Sequence, residues 1–129
     1  MGGFLPTPCN CSGSSGGSSQ LGALITYASP AGSSSSVAPS GFPGSSASPV
    51  GRLNVTLGSG AATWESLKAG AFDGQLVRLF NADSTNSLQL TAASGSGNAQ
   101  FQGLGLELDP GDACWLTYDE TANLWTVVP

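Results

Sequence analysis

The chain has 129 residues, a net charge of −5 and no histidine, and all three basic and all eight acidic residues lie at or after Arg52. That balance, with no Lys/Arg cluster, argues against a nucleic-acid partner, whose affinity rests on neutralised phosphates, and against an anionic membrane surface. The lack of histidine removes Ser-His-Asp and Cys-His catalysis and the common zinc sites, and no glycine-rich phosphate motif is present.

From the start of the chain, MGGFLPTPCNCSG has neither a charged n-region nor a continuous apolar h-region, so no signal peptide is expected. No apolar run approaches the roughly 18–20 residues of a membrane-spanning helix. Residues 1–51 are uncharged and dominated by Gly, Ser and Pro, with six of the eight prolines before residue 50. Such a segment buries too little apolar surface to offset the entropy of ordering it. It is read as an N-terminal arm, residues 1–51, preceding a knob at 52–129.

The arm carries apolar spots at Phe4 and Leu5, at residues 21–28 (LGALITYA, with Leu21, Leu24, Ile25 and Tyr27) and at Phe42. The second of these reads as a strand or an extended anchor without a partner nearby in sequence. An apolar segment within a polar tail docks on its own domain, a sister subunit or another protein. Cys9 and Cys11 form a C-x-C pair open to free thiols, a local or interchain disulfide, or a soft metal. Cys114 alternates into the apolar face of a strand, where cysteine acts as a small hydrophobe.

The knob begins with Arg52–Leu57, whose alternation of Leu53, Val55 and Leu57 with Asn54 and Thr56 predicts a half-buried strand. Thr63–Ala69 is compatible with one short helical turn capped by Thr63. Further strands are predicted at Gln75–Asn81, Ser87–Ala92, Ala99–Gln102, Leu104–Leu108, Ala113–Tyr118 and Leu124–Val128. Between them lie Asp83-Ser84-Thr85-Asn86, a polar turn, and Asp109-Pro110-Gly111-Asp112, which fits a type II turn. Strands spaced about 10 residues apart predict an all-β fold, a small antiparallel sandwich or jelly-roll-like barrel. No periodic repeat and no heptad pattern is evident. A core this small is marginal alone, which favours self-association.

Candidate chemistry is sparse. Glu107, Asp109 and Asp112 flank the Pro-Gly turn, with Asp119 and Glu120 in the next loop; such acids read first as the solvated surface of a hairpin. Calcium binding or carboxylate catalysis are the alternatives. Trp64, Trp115, Tyr118 and Trp125 are candidate core or subunit-interface aromatics, since cross-strand aromatic pairs stabilise sheets. A sugar platform on exposed rings is the competing use. No cofactor and no enzymatic activity are expected.

The order of elements from Arg52 to the end of the sequence resembles a small β-domain of tailed-phage virion proteins. The resemblance is carried by Asp73-Gly74-Gln75-Leu76-Val77-Arg78-Leu79-Phe80-Asn81 and by Ser87-Leu88-Gln89-Leu90. The ending continues it, from Leu108-Asp109-Pro110-Gly111-Asp112 through Leu116-Thr117-Tyr118-Asp119 to Trp125-Thr126-Val127-Val128. Such domains occur in capsid decoration (cement) proteins, head fibres and tail-fibre or tailspike parts, commonly as homotrimers. The resemblance thus implies a virion structural role. The compact knob and long uncharged arm fit a decoration protein on the outer surface of a capsid. It would form a homotrimer and bind the major capsid protein, stapled through Phe4, Leu5, Leu21, Leu24, Ile25, Tyr27 and Phe42. The alternative is a tail-fibre, tail-adaptor or head-fibre component that meets a host glycan.

Overall fold

Alternation of apolar and polar residues puts one side of each strand in the core and leaves the other outside. In β3 (Val50–Thr56), Leu53 and Val55 are buried while Arg52, Asn54 and Thr56 are half-exposed. The same rule governs β6 (Leu76–Asn81), with Val77, Leu79 and Asn81 inward, and β10 (Ala113–Asp119), with Cys114, Leu116 and Tyr118 inward. The computed structural model that shows this describes residues 22–91, 98–102 and 105–128. Its other strands are β1 (Ala23–Ala28), β2 (Gly32–Ser34), β4 (Ala62–Trp64), β5 (Ser66–Leu67), β7 (Leu88–Leu90), β8 (Ala99–Gln102), β9 (Leu106–Leu108) and β11 (Leu124–Val128).

These strands form a β-solenoid of about four turns. Each of the first three coils lays a long strand on a seven-stranded sheet, turns a corner, and lays a short strand on a four-stranded sheet. The long strands β1, β3 and β6 stack in parallel, so that Ile25, Leu53 and Leu79 lie in one row. The short strands β2, β4 and β7 also stack in parallel, aligning Gly32, Ala62 and Leu88. The fourth coil runs the other way. Its strand β9 pairs antiparallel with β7, and β10 pairs antiparallel with β6. The antiparallel hairpin partner β11 then follows, and β8 and β5 complete the order β1-β3-β6-β10-β11-β8-β5 in the larger sheet. The smaller sheet has the order β9-β7-β4-β2.

The core runs along the inside of both sheets and includes Leu53, Val55, Leu57, Trp64, Leu67, Leu79, Leu88, Leu116 and Trp125, all with no exposed surface. Each large apolar side chain buried in this way contributes about 1.5–3 kcal/mol. Buried polar side chains tie the coils together. Gln75 donates to the carbonyls of Pro43 (3.0 Å) and Val50 (2.9 Å) and accepts from the Ala71 amide. Asn81 donates to Asn86 O and Leu108 O and accepts from the Asp83 amide, which joins the third coil to the reversed fourth.

Four sequence expectations are corrected here. The chain is all-β, but a solenoid and not an antiparallel sandwich or jelly-roll barrel. Strand alternation identifies which residues point inward and is blind to whether the next strand returns beside the first or one coil later. Parallel neighbours need a long crossover, and here each crossover carries a short strand of the second sheet. Secondly, a repeat does exist, one coil long, and it sets Ile25 beside Leu53 and Leu53 beside Leu79; loops of unequal length and chemistry hide it. Thirdly, Thr63–Ala69 makes no helical turn: β4 and β5 occupy it, because Trp64 and Leu67 are both drawn into the core.

The fourth concerns residues 23–50, read as part of an extended arm. They form the first coil: β1 pairs with β3, β2 pairs with β4, and the following loop packs Val37 and Phe42 into the core. The boundary expected at residue 51 falls inside β3. Composition suggested a tail because the coil is uncharged and rich in Gly, Ser and Pro. It orders by borrowing the edges and core of the second coil.

Candidate docking face

The outward side of the seven-stranded sheet is where the unusual side chains collect. Along β6 it presents Leu76, Arg78 and Phe80; along β10, Ala113, Trp115 and Thr117; along β11, Leu124, Thr126 and Val128. Register makes them neighbours. Trp115 sits opposite Arg78 on one side and Val128 on the other, and Thr117 lies opposite Leu76. The Arg78 guanidinium lies 5.1 Å from the centre of the Phe80 ring, a favourable cation–π separation. The exposed large hydrophobic residues, Leu24 (46%), Leu76 (51%) and Val128 (44%), all belong to this one face.

The electrostatics of the face differ from those of the whole chain. Arg52 and Arg78 are direct neighbours across β3 and β6. Among the described residues neither has a carboxylate partner, and Arg52 makes only a long 3.5 Å contact from Nη2 to Gly22 O. Like charges side by side on a sheet are unfavourable, so the pair marks a place ready for an acidic or carbonyl-rich neighbour. One acid, Asp119, stands at the outward end of β10 opposite Leu124; several others sit off the face. Asp73 accepts from the Glu120 amide, Asp109 accepts from the Ser87 hydroxyl, and Asp112 accepts from the Asp109 amide, all at coil corners. Asp83 accepts from the amides of Asn86, Thr85 and Leu57, and these backbone bonds, led by that from Asn86, hold its carboxyl below the usual range.

The expected site residues divide as follows. Phe4, Leu5, Leu21, Cys9 and Cys11 lie outside the described residues. Ile25 and Tyr27 point inward from β1 and are half-buried, while Leu24 points outward. Phe42 is in the core, its ring tilted against Trp125 at 5.8 Å. Trp64, Tyr118 and Trp125 are core residues as well, so they offer no ring faces to a sugar or to a second subunit. Trp125 donates to Lys68 O, and the Tyr118 hydroxyl donates to Asn123. Only Trp115 of this group lies on the outer side, half-buried between Arg78 and Val128. Among the described residues no three acidic or cysteine side chains gather so as to hold a metal ion. Cys114 is buried, and that burial pushes its thiol up to about 11.

Sequence reading missed Arg52, Leu76, Arg78, Phe80 and Val128 as a group. Each stands at an outward position of a strand it identified, and their assembly depends on stacking β3, β6, β10 and β11 side by side. Chemically the face has no nucleophile and base in contact. It has what protein interfaces favour: aromatic rings, arginines and exposed aliphatic groups on one sheet face. No family model, no curated protein and no solved structure matches this chain.

Proposed function

We propose that this chain is a non-enzymatic structural protein of a tailed-phage virion, a capsid decoration protein that docks on the shell through the outer face of its seven-stranded sheet. The observation that carries the docking role is the gathering of Leu24, Leu76, Val128, Trp115 and Arg78 on one side of one sheet. The virion assignment rests on the resemblance in residues 73–128. In this fold the residues behind that resemblance are largely structural: Gly74 adopts φ 85°, Gln75 and Asn81 bridge coils, and Trp125 fills the core. The resemblance therefore supports a kind of domain, and the outer face supplies the partner surface. Docking passes to that face from the arm, because Phe42, Ile25 and Tyr27 are engaged with the chain's own core.

Quantitative mass spectrometry of purified virions tests the assignment. Abundance comparable to the major capsid protein is expected. A few copies per particle would move the chain to the tail or a fibre, and absence from the particle would overturn the reading. Arg78→Glu in the same assay should leave a folded protein that no longer binds shells. Undiminished binding would remove the face from the docking role.

A further inference from the structure

The outermost strands of the two sheets are β5 and β9 on one side and β1 and β2 on the other. The reversed fourth coil covers the edge of β6, and β11 covers β10. At the N-terminal end, β1 is the outermost strand of the larger sheet and β2 of the smaller. Among the described residues nothing pairs with the free side of either. Natural edge strands are blunted by charges, proline or bulges. The residues of β1, ALITYA, include neither charge nor proline, and their only irregularity is a register shift at Ala23/Leu24.

Among the described residues the core is also less covered there. Leu53 and Val55 are fully buried in the second coil, whereas Ile25 and Tyr27, which occupy the same rows in the first, are only half-buried. They face inward and pack on the core, with the Tyr27 ring edge-on to Trp64 at 5.8 Å.

We propose that this end is a two-fold contact between two copies of the chain, formed by antiparallel pairing of their β1 strands. Ser29 donates its amide to Thr56 O, so by alternation the amides and carbonyls of Leu24, Thr26 and Ala28 point to the open side. A two-fold axis at Thr26 sets the two Thr26 residues opposite each other and Leu24 opposite Ala28, the arrangement in which facing residues exchange both backbone bonds. It also sets Ile25 of each copy against Tyr27 of the other, an aromatic–β-branched pair that completes the core row. The contact is isologous and closes on itself.

Charge selects a second copy as the occupant. Each chain carries −5, and every acidic residue lies after Arg52. Residues 1–51 hold no charged side chain, so two copies meet here without repulsion between acids. Pairing would also merge two seven-stranded sheets and place two docking faces on one particle, which strengthens attachment through effective concentration.

Sedimentation velocity on the full chain, combined with amide hydrogen exchange, tests this. A particle of twice the 12.8 kDa chain mass is expected, with the Thr26 and Ala28 amides protected when dimeric and unprotected on dilution. Thr26→Lys places two ammonium groups face to face, and Thr26→Pro removes only an outward amide. Both should give monomers that melt like the dilute wild-type chain. A wild-type chain that stays monomeric at high concentration would overturn the proposal. So would a trimer, a dimer insensitive to both substitutions, or exposed Thr26 and Ala28 amides within the dimer.

Discussion

Trp64 donates its indole N–H to the hydroxyl of Ser29 at 3.0 Å, reaching from the second coil to the corner of the first. The Ser29 hydroxyl donates in turn to Pro30 O. The indole has no exposed surface, so this bond is its answer to burial. It also fixes where the first coil sits above the second.

Ser29→Ala should therefore destabilise the protein by about 1–3 kcal/mol, the cost of leaving a buried donor unpaired. Urea denaturation measures this. In the Trp64→Phe background, where no indole N–H remains, the same Ser29→Ala change should cost less. Equal costs in both backgrounds would show that the hydrogen bond contributes nothing of its own.

Asn81 holds the turn of the third coil to the reversed fourth through Asn86 O at 2.9 Å and Leu108 O at 2.8 Å. Asn81→Asp keeps the shape but sets an acceptor-only group against two carbonyls. The expected loss is on the order of 3 kcal/mol. A melting temperature within error of the wild type would show that the two bonds are dispensable.

Acid should loosen the corner between the second and third coils. The carboxyl of Asp83 titrates below its ordinary 3.8 in the folded chain, chiefly through the Asn86 amide. Between the folded and unfolded values the unfolded state binds more protons, so stability rises with pH. The contribution is complete above the unfolded value and is lost as pH falls through the folded one. Asp83→Asn should lower stability at neutral pH and flatten the pH dependence below about pH 4. A variant as acid-sensitive as the wild type would locate the titration elsewhere.

Gly70 lies under the Tyr118 ring: a Cβ at this position would come within 2.5 Å of the ring carbons Cγ and Cδ2. The ring cannot easily yield, because its other neighbour is Trp125, with centroids 5.1 Å apart. Gly70→Ala should cost about 1–3 kcal/mol, typical of an overpacked core. Thermal unfolding would check it, and an unaffected or raised midpoint would mean that the loop shifts freely.

Much of the fold was legible in the sequence, though not its topology. Alternation located β3, β6, β10 and β11 and assigned Leu53, Val55, Leu79 and Leu116 to one side, because side-chain direction in a strand is a local property. Turn chemistry marked Asp83–Asn86 and Asp109–Asp112 for the same reason. The first coil was legible only in part. The apolar run at residues 21–28 marked a strand, found as Ala23–Ala28, but its partner lies a full coil further along the chain, and Gly32–Ser34 carries no apolar side chain to mark it.

By itself, then, the sequence determined an all-β chain, its inward-facing residues, its charge-free stretch before Arg52 and its lack of histidine chemistry. Tertiary structure decided that successive long strands stack in parallel, that the last coil runs backwards, and that Arg52, Arg78 and Trp115 share one face. The division has a physical cause. Strand alternation and turns depend on a few adjacent residues, whereas stacking depends on which distant edge offers the better hydrogen bonds and the closer-packed core.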